Sequence, residues 1–430
     1  MNRSEAEAYV YQSYLKAEKH QEYSVKDSEK RRPDLTRTVI ESKAGTPCVL
    51  VTGSKGKGSV CVMISQIMQT KLKVGMMTSP HITDFCERFR INGQNIPDDL
   101  FADYMTRIQP EIEAIDSEIP DNVYVSPIGI QTALALTYFN ENHTDFNVFE
   151  CGKGVLNDDV NNIIHQYAVI NSIFLEHTRE LGDTITEIAE DKSHIINGDH
   201  QVAFLAPQLP EVMEVIQKRA AIFNTHLKIY GQHFWAENIR YDNRGMRFDV
   251  NIEGEVYSDI LIPLMGKHQA RNCALAMALC RMVLGNLDVN AVRAYLSKME
   301  WPGRMEVLSS DPFILLDACI NVASCKNVRD VLSHLDINQI TAIVGIPDDK
   351  DYAGVIQGLA DVSAKIILTK SHNTHYRFTQ IQCKTMKEVG INTIWIDSVS
   401  EAIFMAKKEP YPIVIVGTTS VISEVKQLFI

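Results

Sequence analysis

A run of seven residues rich in glycine has the residue types and spacing of a phosphate-binding loop. The run is Gly53-Ser54-Lys55-Gly56-Lys57-Gly58-Ser59. Glycines let backbone N–H groups face a polyphosphate, and a helix that starts after them points its positive end at the phosphates. The run has a shorter lead than the strict P-loop pattern G-x-x-x-x-G-K-[ST] and reads G-x-x-G-K-G-S. We expect Lys57 to reach the β- and γ-phosphates of ATP and the Ser59 hydroxyl to bind Mg²⁺, although a plain glycine-rich turn is the alternative.

The segments on either side of this run are predicted to be a buried strand and an amphipathic helix. Residues 48–52 are apolar and mostly β-branched, as in a buried parallel strand, and apolar residues recur at helical spacing over 60–68. Further elements of the same series are strands at 74–78, 146–150 and 168–175 and an apolar helix at 128–139. Because strands alternate with helices, we expect an α/β fold with a P-loop-containing parallel-sheet ATPase domain.

A second α/β series follows in the last third of the chain. Residues 202–262 are interpreted as short strands with turns, an antiparallel insertion or edge, and 267–284 as an apolar helix. Trp-Pro-Gly-Arg at 301–304 interrupts the pattern. The later strands are predicted at 313–317, 341–345, 364–368, 393–396 and 413–417. We therefore expect an ATP-binding domain over 1–297, beginning with a helical segment, and a smaller Rossmann-like α/β domain over 298–430.

Composition argues against several classes of protein. Of the 430 residues, 42 are Lys or Arg and 54 are Asp or Glu, so the formal net charge is −12 and the chain repels nucleic-acid phosphates. No apolar stretch approaches the roughly 20 residues that span a bilayer, and the first residues lack the apolar core of a signal peptide. The nine cysteines are scattered without a Cys-x-x-Cys pair, so neither a zinc site nor a disulfide framework is expected. We expect a cytoplasmic protein without nucleic-acid or membrane partners.

Seven further segments extend the pattern beyond the glycine-rich run. In chain order they lie at 78–81 (Thr-Ser-Pro-His), 84–93, 176–178 (Glu-His-Thr), 181–192, 266–272, 301–304 and 345–351 (Gly-Ile-Pro-Asp-Asp-Lys-Asp). Together with the run they resemble the folylpolyglutamate synthase/dihydrofolate synthase branch of the Mur-type ligases. The resemblance implies that ATP phosphorylates a substrate carboxylate and that the amine of an amino acid then displaces phosphate to give an amide.

The resemblance also implies which residues surround the transferring phosphoryl group. Lys57 would be the phosphate lysine, and the positions around two Mg²⁺ ions would be Ser59, Ser79, Glu150 and His177. Metal ions and lysines at such a place neutralise charge on the phosphoryl group. Taken alone, Glu150 would be a solvated carboxylate and His177 a loop histidine.

Lys192 falls where the family has a carbamylated lysine that helps to bridge the metal ions. With Lys57 and His177 it completes the predicted catalytic set. The alternative is an exposed lysine on a helix that also bears Glu187, Glu190 and Asp191, which would be an ordinary solvated face.

Nucleotide and amino-acid contacts are implied in the same way. Asn272 would lie on the base side of ATP, Arg304 on its phosphates and Asp317 on its ribose. Asp349 and Lys350 belong to the family's G-x-x-x-D-K-D loop and would orient either the incoming amino acid or the hinge face.

Two departures from the family pattern concern substrate-facing positions. The arginine of the family's G-x-G-G-R-x-D-x-x-N run is Leu156 here, and the histidine of its D-G-A-H-N motif is Ile320. Neither replacement can pair an anionic or hydrogen-bonding group. We therefore expect retained ATP chemistry on an altered small-molecule carboxylate, held near Phe85, Arg88 and Arg90, with glutamate as one candidate amino acid. The alternative is a nucleotide-binding pseudo-ligase that acts as a regulatory or partner subunit; in either case we expect a monomer or a small homo-oligomer.

Overall fold

Residues 1–18, 30–242, 244–373 and 376–429 are described in the computed structural model of this chain. Their contacts divide the chain into two units. Unit 1 consists of Met1–Ala236, Val250–Tyr257 and Arg271–Tyr295, and unit 2 of Glu237–Asp249, Ser258–Ala270 and Leu296–Ile430. The domain boundary near residue 298 stays a prediction.

The glycine-rich run follows an inner strand of an eight-stranded sheet in unit 1. The strands are β1 (Cys48–Thr52), β2 (Val74–Met77), β3 (Phe89–Ile91), β4 (Gln94–Asn95), β5 (Phe146–Glu150), β6 (Tyr167–Ile170), β7 (Val202–Leu205) and β8 (His226–Ile229). Their order is β4-β3-β2-β5-β1-β6-β7-β8. Six neighbouring strands, β2, β5, β1, β6, β7 and β8, pair in parallel. At one edge of the sheet, β3 pairs antiparallel with β2, and β4 pairs antiparallel with β3. Strands β1, β2 and β5 are buried throughout, as expected of parallel strands covered on both faces.

Helices connect these strands, because parallel neighbours require a crossover. The helices are α1 (Arg3–Glu18), α2 (Asp34–Lys43), α3 (Lys57–Met68), α4 (Asp98–Asp116), α5 (Pro127–Glu141), α6 (Thr178–Leu181), α7 (Ile185–Ser193) and α8 (Pro210–Ile222), with 3₁₀ helices at Phe85–Arg88 and Asp159–Asn162. Side chains cap two of the α-helices: Ser126 accepts from an N–H in the first turn of α5, and Thr184 forms a capping box with Glu187 at α7. These caps end the preceding loops at defined residues and so position the helices on the sheet.

The segment 202–262 differs in part from the predicted antiparallel insertion. Residues 202–205 and 226–229 are the parallel strands β7 and β8, with α8 between them. The prediction of antiparallel strands was wrong there, because a run of four residues is too short for its pattern to distinguish a parallel from an antiparallel strand. A separate three-stranded sheet of order β11-β10-β9 follows, made of β9 (Phe234–Asp242), β10 (Gly245–Ile252) and β11 (Glu255–Ile262).

Unit 2 contains a second α/β sheet of six strands. The strands are β12 (Glu306–Ser310), β13 (Phe313–Asp317), β14 (Ile340–Gly345), β15 (Ser363–Thr369), β16 (Ile394–Ile396) and β17 (Ile413–Gly417), in the order β12-β13-β17-β14-β15-β16. Five of them pair in parallel, and β12, which the sequence did not predict, pairs antiparallel at the edge. The predicted α/β class with parallel sheets is confirmed.

The remaining helices complete both units. They are α9 (Lys267–Leu284), α10 (Val289–Leu296), α11 (Val322–His334), α12 (Tyr352–Ala360), α13 (Ile381–Glu388), α14 (Val399–Ala406) and α15 (Thr419–Gln427). Helix α9 has the bounds that the apolar pattern predicts. In the described part of the chain, none of the helices combines the length and the apolarity needed to cross a membrane.

Candidate functional site

The glycine-rich run forms a tight loop from the end of β1 to the start of α3. Gly56 lies directly before the helix with φ of 79°, a left-handed conformation that glycine adopts without steric cost. Gly53 has φ of 133°, and a Cβ there would lie 2.7 Å from the Cβ of Asn171. Helix α3 begins at Lys57, two residues before Ser59, near which the sequence pattern predicts the start of the helix. The first turn of the helix therefore contributes unpaired N–H groups directly after the glycine loop.

The middle of the loop is held by backbone and hydroxyl hydrogen bonds. The Ser54 N–H donates to the Ser172 carbonyl over 3.0 Å. The Ser54 hydroxyl donates to the Phe174 carbonyl and accepts from the Phe174 N–H, at 3.2 and 3.1 Å. The Lys55 ammonium lies 6.0 Å from the centroid of the Phe174 ring. This pattern attaches the loop to the segment that follows β6.

A serine hydroxyl in the first turn of α3 is buried without a partner. Ser59 is 1% exposed, and its Oγ has no hydrogen-bond partner among the described residues. The hydroxyl of Thr52, at the end of β1, is in the same state. Leaving a buried hydroxyl unsatisfied costs about 1–3 kcal/mol. An oxygen held in this way, next to a phosphate-binding loop, fits the donor that a hard cation such as Mg²⁺ requires.

Ser79 and Glu150 meet where two neighbouring strands end. Strands β2 and β5 pair in parallel, so their carboxyl ends lie at one edge of the sheet with the end of β1. The Ser79 N–H donates to Oε2 of Glu150 over 2.9 Å, and Glu150 is 6% exposed. Across the described ranges, no three or more His, Cys, Asp and Glu side chains group as a metal site.

His177 lies in the loop directly before α6. Its φ is 48°, and its Nε2 lies 3.9 Å from a carboxylate oxygen of Glu176. Burial lowers the pKa of His177. The Glu176 carboxylate raises this pKa, whereas the nearby lysines lower it further. The imidazole is therefore neutral at pH 7, which is the form that can bind a metal ion.

Lys192 is fully buried in the last turn of α7. Its Nζ donates to the carbonyls of Lys153 and Gly53 at 2.6 and 3.4 Å and lies 3.3 Å from a Glu176 carboxylate oxygen. Burial lowers its pKa, and the charge of Lys57 acts in the same direction. The alternative of an exposed lysine on a solvated helix face is therefore wrong. Lys57 itself donates to the Gly53 carbonyl over 3.0 Å, so both amines reach the glycine loop.

Two asparagines contact the loop from other elements of unit 1. The Asn171 amide donates to Oδ1 of Asn272 over 2.9 Å, and Asn272 is 4% exposed. A Cβ on Gly56 would lie 2.7 Å from Nδ2 of Asn171 and 3.0 Å from Nδ2 of Asn272. The sequence predicted Asn272 but missed Asn171. The available signal was its position directly after β6, a parallel neighbour of β1, since the ends of such strands share an edge.

Two of the three residues predicted near the acceptor are held by other contacts. Phe85 is 2% exposed, with its ring centroid 6.2 Å from that of Phe89 and 5.5 Å from that of Phe101. Arg90 donates to Oδ1 of Asn95 over 2.9 Å. The third, Arg88, lines a cavity of about 350 Å³.

Unit 2 holds the remaining predicted residues. Asp317 is the last residue of β13, and its carboxylate accepts the N–H of Met305 over 2.9 Å. Met305 directly follows Arg304 in the sequence. The Lys350 ammonium lies 3.0 Å from the Asp349 carboxylate. The two positions that depart from the family pattern differ in burial. Ile320 packs against the core of this unit, while Leu156, in unit 1, is 48% exposed.

The fold and the loop define a nucleotide-dependent ligase of the Mur type. The Mur ligase middle domain matches residues 51–280. The dihydrofolate synthase/folylpolyglutamate synthase of Bacillus subtilis is 30% identical over 325 residues, which cover 74% of each chain. The folylpolyglutamate synthase of Lacticaseibacillus casei is 28% identical over 382 residues, 88% of each chain. The chain belongs to the folylpolyglutamate synthase/dihydrofolate synthase family, whose members are ATP-dependent, ADP-forming acid–amino-acid ligases.

Solved structures agree with this family and with the predicted fold class. The folylpolyglutamate synthase of Mycobacterium tuberculosis, solved with ADP and AMPPCP, aligns with a TM-score of 0.83 and 28% identity over 93% of this chain and 96% of that one.

A probable bifunctional folylpolyglutamate synthase/dihydropteroate synthase of Haloferax volcanii is 29% identical over 326 residues, and the chain spans 38% of its length. The predicted family, fold class and enzyme class are confirmed.

Proposed function

We propose that this protein binds ATP at the glycine loop, transfers the γ-phosphoryl group to a substrate carboxylate and couples the resulting acyl phosphate to an amino acid. The observation that supports this most directly is the buried, unpartnered Ser59 hydroxyl in the first turn of α3. An orphaned oxygen at this place is costly unless a cation takes it as a ligand. The Glu150 carboxylate at the neighbouring strand end is the acidic group that such a cation also requires.

The role that we propose for each side chain at the phosphoryl site follows from its chemistry. Lys57 would pair with the phosphates, and Ser59, Ser79, Glu150 and His177 would hold two Mg²⁺ ions. The ions would supply charge neutralisation and orientation of the phosphoryl group. The contact between Glu150 and the Ser79 N–H and the neutral state of His177 support this set, because a neutral imidazole does not need to lose a proton to bind a cation.

We further propose that Lys192 is carbamylated in the active protein. Only a neutral amine reacts with carbon dioxide, and burial lowers the pKa of Lys192, so more of the neutral amine is present at pH 7. Its contacts with Gly53 and Glu176 support a position beside the phosphate loop. A carbamate there would exchange one buried cation for an anionic metal ligand.

The remaining proposed contacts concern nucleotide and amino acid. Asn272 would contact the base side of ATP, Arg304 its phosphates and Asp317 its ribose. Asp349 and Lys350 would orient the amino acid, for which glutamate is the first candidate because the names of the relatives include polyglutamate synthesis. We propose that the protein acts in the cytoplasm as a monomer or small homo-oligomer.

We propose that the acceptor is not an ordinary folate. Leu156 and Ile320 replace a cation and an imidazole, and an apolar side chain leaves a polar substrate group unpaired at a cost of about 1–3 kcal/mol. The same two replacements favour the second candidate function, a nucleotide-binding pseudo-ligase that acts as a partner subunit.

The decisive experiment is an ADP-release screen of carboxylates against the standard amino acids, with dihydropteroate and folates in the first plate. A ligase releases ADP and phosphate only when both a carboxylate and an amino acid are present. ADP release at a rate that depends on neither the carboxylate nor the amino acid would contradict the ligase proposal. ATP binding without ADP release under any combination would support the pseudo-ligase.

A further inference from the structure

Two cysteines of unit 2 contact each other just after β13. Cys319 lies two residues beyond the strand and Cys325 lies in the first turn of α11, and both are buried, with 0% and 2% of their surface exposed. The two thiols form a hydrogen bond with each other. The Sγ of Cys319 lies 3.6 Å from the carbonyl oxygen of Asn321, and the Cys325 N–H donates to the same oxygen over 3.0 Å. The turn at Asn321 therefore holds both cysteines around one atom.

Helix α11 begins at a residue that two side chains fix. Oδ1 of Asn321 accepts the Ser324 N–H over 2.9 Å, which caps the helix. The N–H of Val322 donates to the carboxylate of Asp351 over 3.1 Å. Cys325 is thus held at the positive end of a helix of 13 residues, and this position favours the thiolate form of a cysteine.

The two thiols differ in the protonation state that their surroundings favour. The hydrogen bond from Cys319 is the main cause that lowers the pKa of Cys325, and Arg329, one turn further along α11, lowers this pKa as well. Burial and the carboxylates of Asp351 and Asp361 raise it. The same hydrogen bond, together with burial, raises the pKa of Cys319. Cys325 is therefore the nucleophile of the pair, and Cys319 is its proton donor.

Two cysteines of α9 provide a comparison within the same chain. Cys273 and Cys280 are both 0% exposed, and burial raises the pKa of each, so these thiols stay protonated. Burial alone therefore does not produce the state of Cys325. Cys319, which does, replaces the alanine of the family's D-G-A-H-N motif.

We propose that Cys319 and Cys325 form a modification site at which a hydroperoxide converts the two thiols into a disulfide. The Sγ of Cys325 attacks one peroxide oxygen, the O–O bond breaks, and the products are a sulfenic acid and, after protonation, water. The Sγ of Cys319 then attacks the sulfenic sulfur. An S–S bond forms, the S–O bond breaks, and the thiol proton leaves with the hydroxyl as a second water. The thiols lose two electrons and the peroxide gains them, as in the reversible redox cysteines of reducing compartments.

The test is treatment of the full chain with hydrogen peroxide, then labelling of the denatured protein with N-ethylmaleimide and tryptic digestion. Trypsin releases residues 305–326, with Cys319 and Cys325, and residues 272–281, with Cys273 and Cys280; neither peptide contains another cysteine. We expect 305–326 to lose both labels and two hydrogens, and dithiothreitol to reverse this. The loss should be about tenfold faster than in 272–281, because the thiolate is the nucleophile. No ATP or substrate is present, so the outcome does not depend on ligase activity.

Two variants locate the effect. Cys319→Ala, which restores the residue of the family pattern, should stop the reaction at a sulfenic acid that dimedone traps on Cys325. Cys280→Ala is the control and should keep the disulfide. Full labelling of 305–326 after peroxide, equal rates of loss from the two peptides, or a disulfide from Cys325 to another cysteine would overturn the inference. The comparison of the two peptides uses the unmodified protein, so it holds even if a variant fails to fold.

Discussion

Buried polar atoms at the edge of the eight-stranded sheet differ in how they are satisfied. The Lys192 ammonium has three oxygen partners, whereas the Ser59 hydroxyl has none among the described residues. Both lie beside the glycine loop. The difference supports the proposals that Ser59 takes a metal ion as its partner and that Lys192 is carbamylated in the active protein.

The first prediction at this scale concerns Ser59. We expect Ser59→Ala, and likewise Glu150→Gln, to lower the rate of ADP formation on the order of 10²-fold or more, since losing a Mg²⁺ ligand removes charge stabilisation of the phosphoryl group. The control is Ser65→Ala on the same helix, whose hydroxyl accepts from Gln69 over 3.1 Å. Steady-state ADP release of the three variants is the measurement. Turnover of Ser59→Ala near that of the unmodified protein would contradict the metal assignment.

The second prediction concerns Lys192. We expect Lys192→Ala to lose activity and to regain part of it with added acetate, because a short carboxylate can replace the proposed carbamate as a ligand. Intact-protein mass spectrometry in bicarbonate should detect the carbamate on the unmodified chain. Lys218→Ala, an exposed lysine that pairs with Glu214, is the control and should keep full activity. Full activity of Lys192→Ala, with no carbamate detected, would refute the proposal.

At the scale of elements, the conformation of the glycine loop depends on three parts of unit 1. Strand β1 precedes the loop, α3 follows it, and the two asparagines Asn171 and Asn272 fill the space beside Gly56. A side chain at Gly56 would therefore be unfavourable for two reasons. The left-handed backbone disfavours other residue types, and the two asparagines occupy the space that the side chain would need.

We predict that Gly56→Ala weakens ADP binding by about tenfold or more, because the added methyl would contact both asparagines. Gly231→Ala is the matched control, since Gly231 also has positive φ, 84°, but nothing lies within 4 Å of its added Cβ. Both variants should lose about 1–2 kcal/mol of unfolding free energy from the left-handed backbone. Calorimetry with ADP and thermal unfolding separate the two effects. Equal ADP affinity of the two variants would contradict the steric account.

The 3₁₀ helix Asp159–Asn162 contains a buried acid whose titration affects stability. Asp159 is 1% exposed, the Thr36 hydroxyl donates to its Oδ1 over 2.5 Å, and its Oδ2 has no described partner. Burial raises the pKa of Asp159 from 3.8 to about 6. The folded state therefore retains this proton over a range where the unfolded chain has lost it, so the group's contribution to stability falls as pH rises through about 6.

We predict that Asp159→Asn, which cannot ionise, becomes more stable relative to the unmodified protein between pH 4 and pH 7. The expected change in the difference of unfolding free energies is about 1–3 kcal/mol over that range. Denaturant unfolding of both proteins at several pH values measures it. A difference that does not change with pH would show that Asp159 titrates as it does in an unfolded chain.

At the scale of the whole molecule, the two departures from the family pattern lie in different units. Leu156 belongs to unit 1 and Ile320 to unit 2. Each replaces a polar side chain of the family by an apolar one.

We predict little activity of the unmodified protein with tetrahydrofolate and glutamate, and a gain in the Leu156→Arg, Ile320→His double variant. The physical reason is the restored cation and imidazole, each of which can offset about 1–3 kcal/mol of unpaired substrate polarity. Steady-state kinetics on the single and double variants measure this. Ordinary folate-ligase efficiency in the unmodified chain would end the proposal of an altered acceptor.

The sequence alone determined the elements that depend on local pattern. Strand β1 was predicted to the residue, because a buried β-branched run is bounded by Pro47 and Gly53. The order of motifs also indicated the family and the phosphate loop. The start of α3 was misplaced by two residues because Gly56, in the left-handed conformation, ends the loop earlier than the pattern shows. Over 202–229 the short strand segments did not reveal whether their strands are parallel.

Only the tertiary structure decided which side chains are buried and which remain without a partner. Lys192 has the sequence context of an exposed helix face, yet residues far from it in the chain, such as Gly53, surround its amine. Asn171 has no motif of its own and becomes part of the site because β6 pairs with β1. Phe85 and Arg88 are three residues apart, but one is in the core and the other lines a cavity. Burial and pairing depend on contacts between distant segments, and a pattern of neighbouring residues does not contain them.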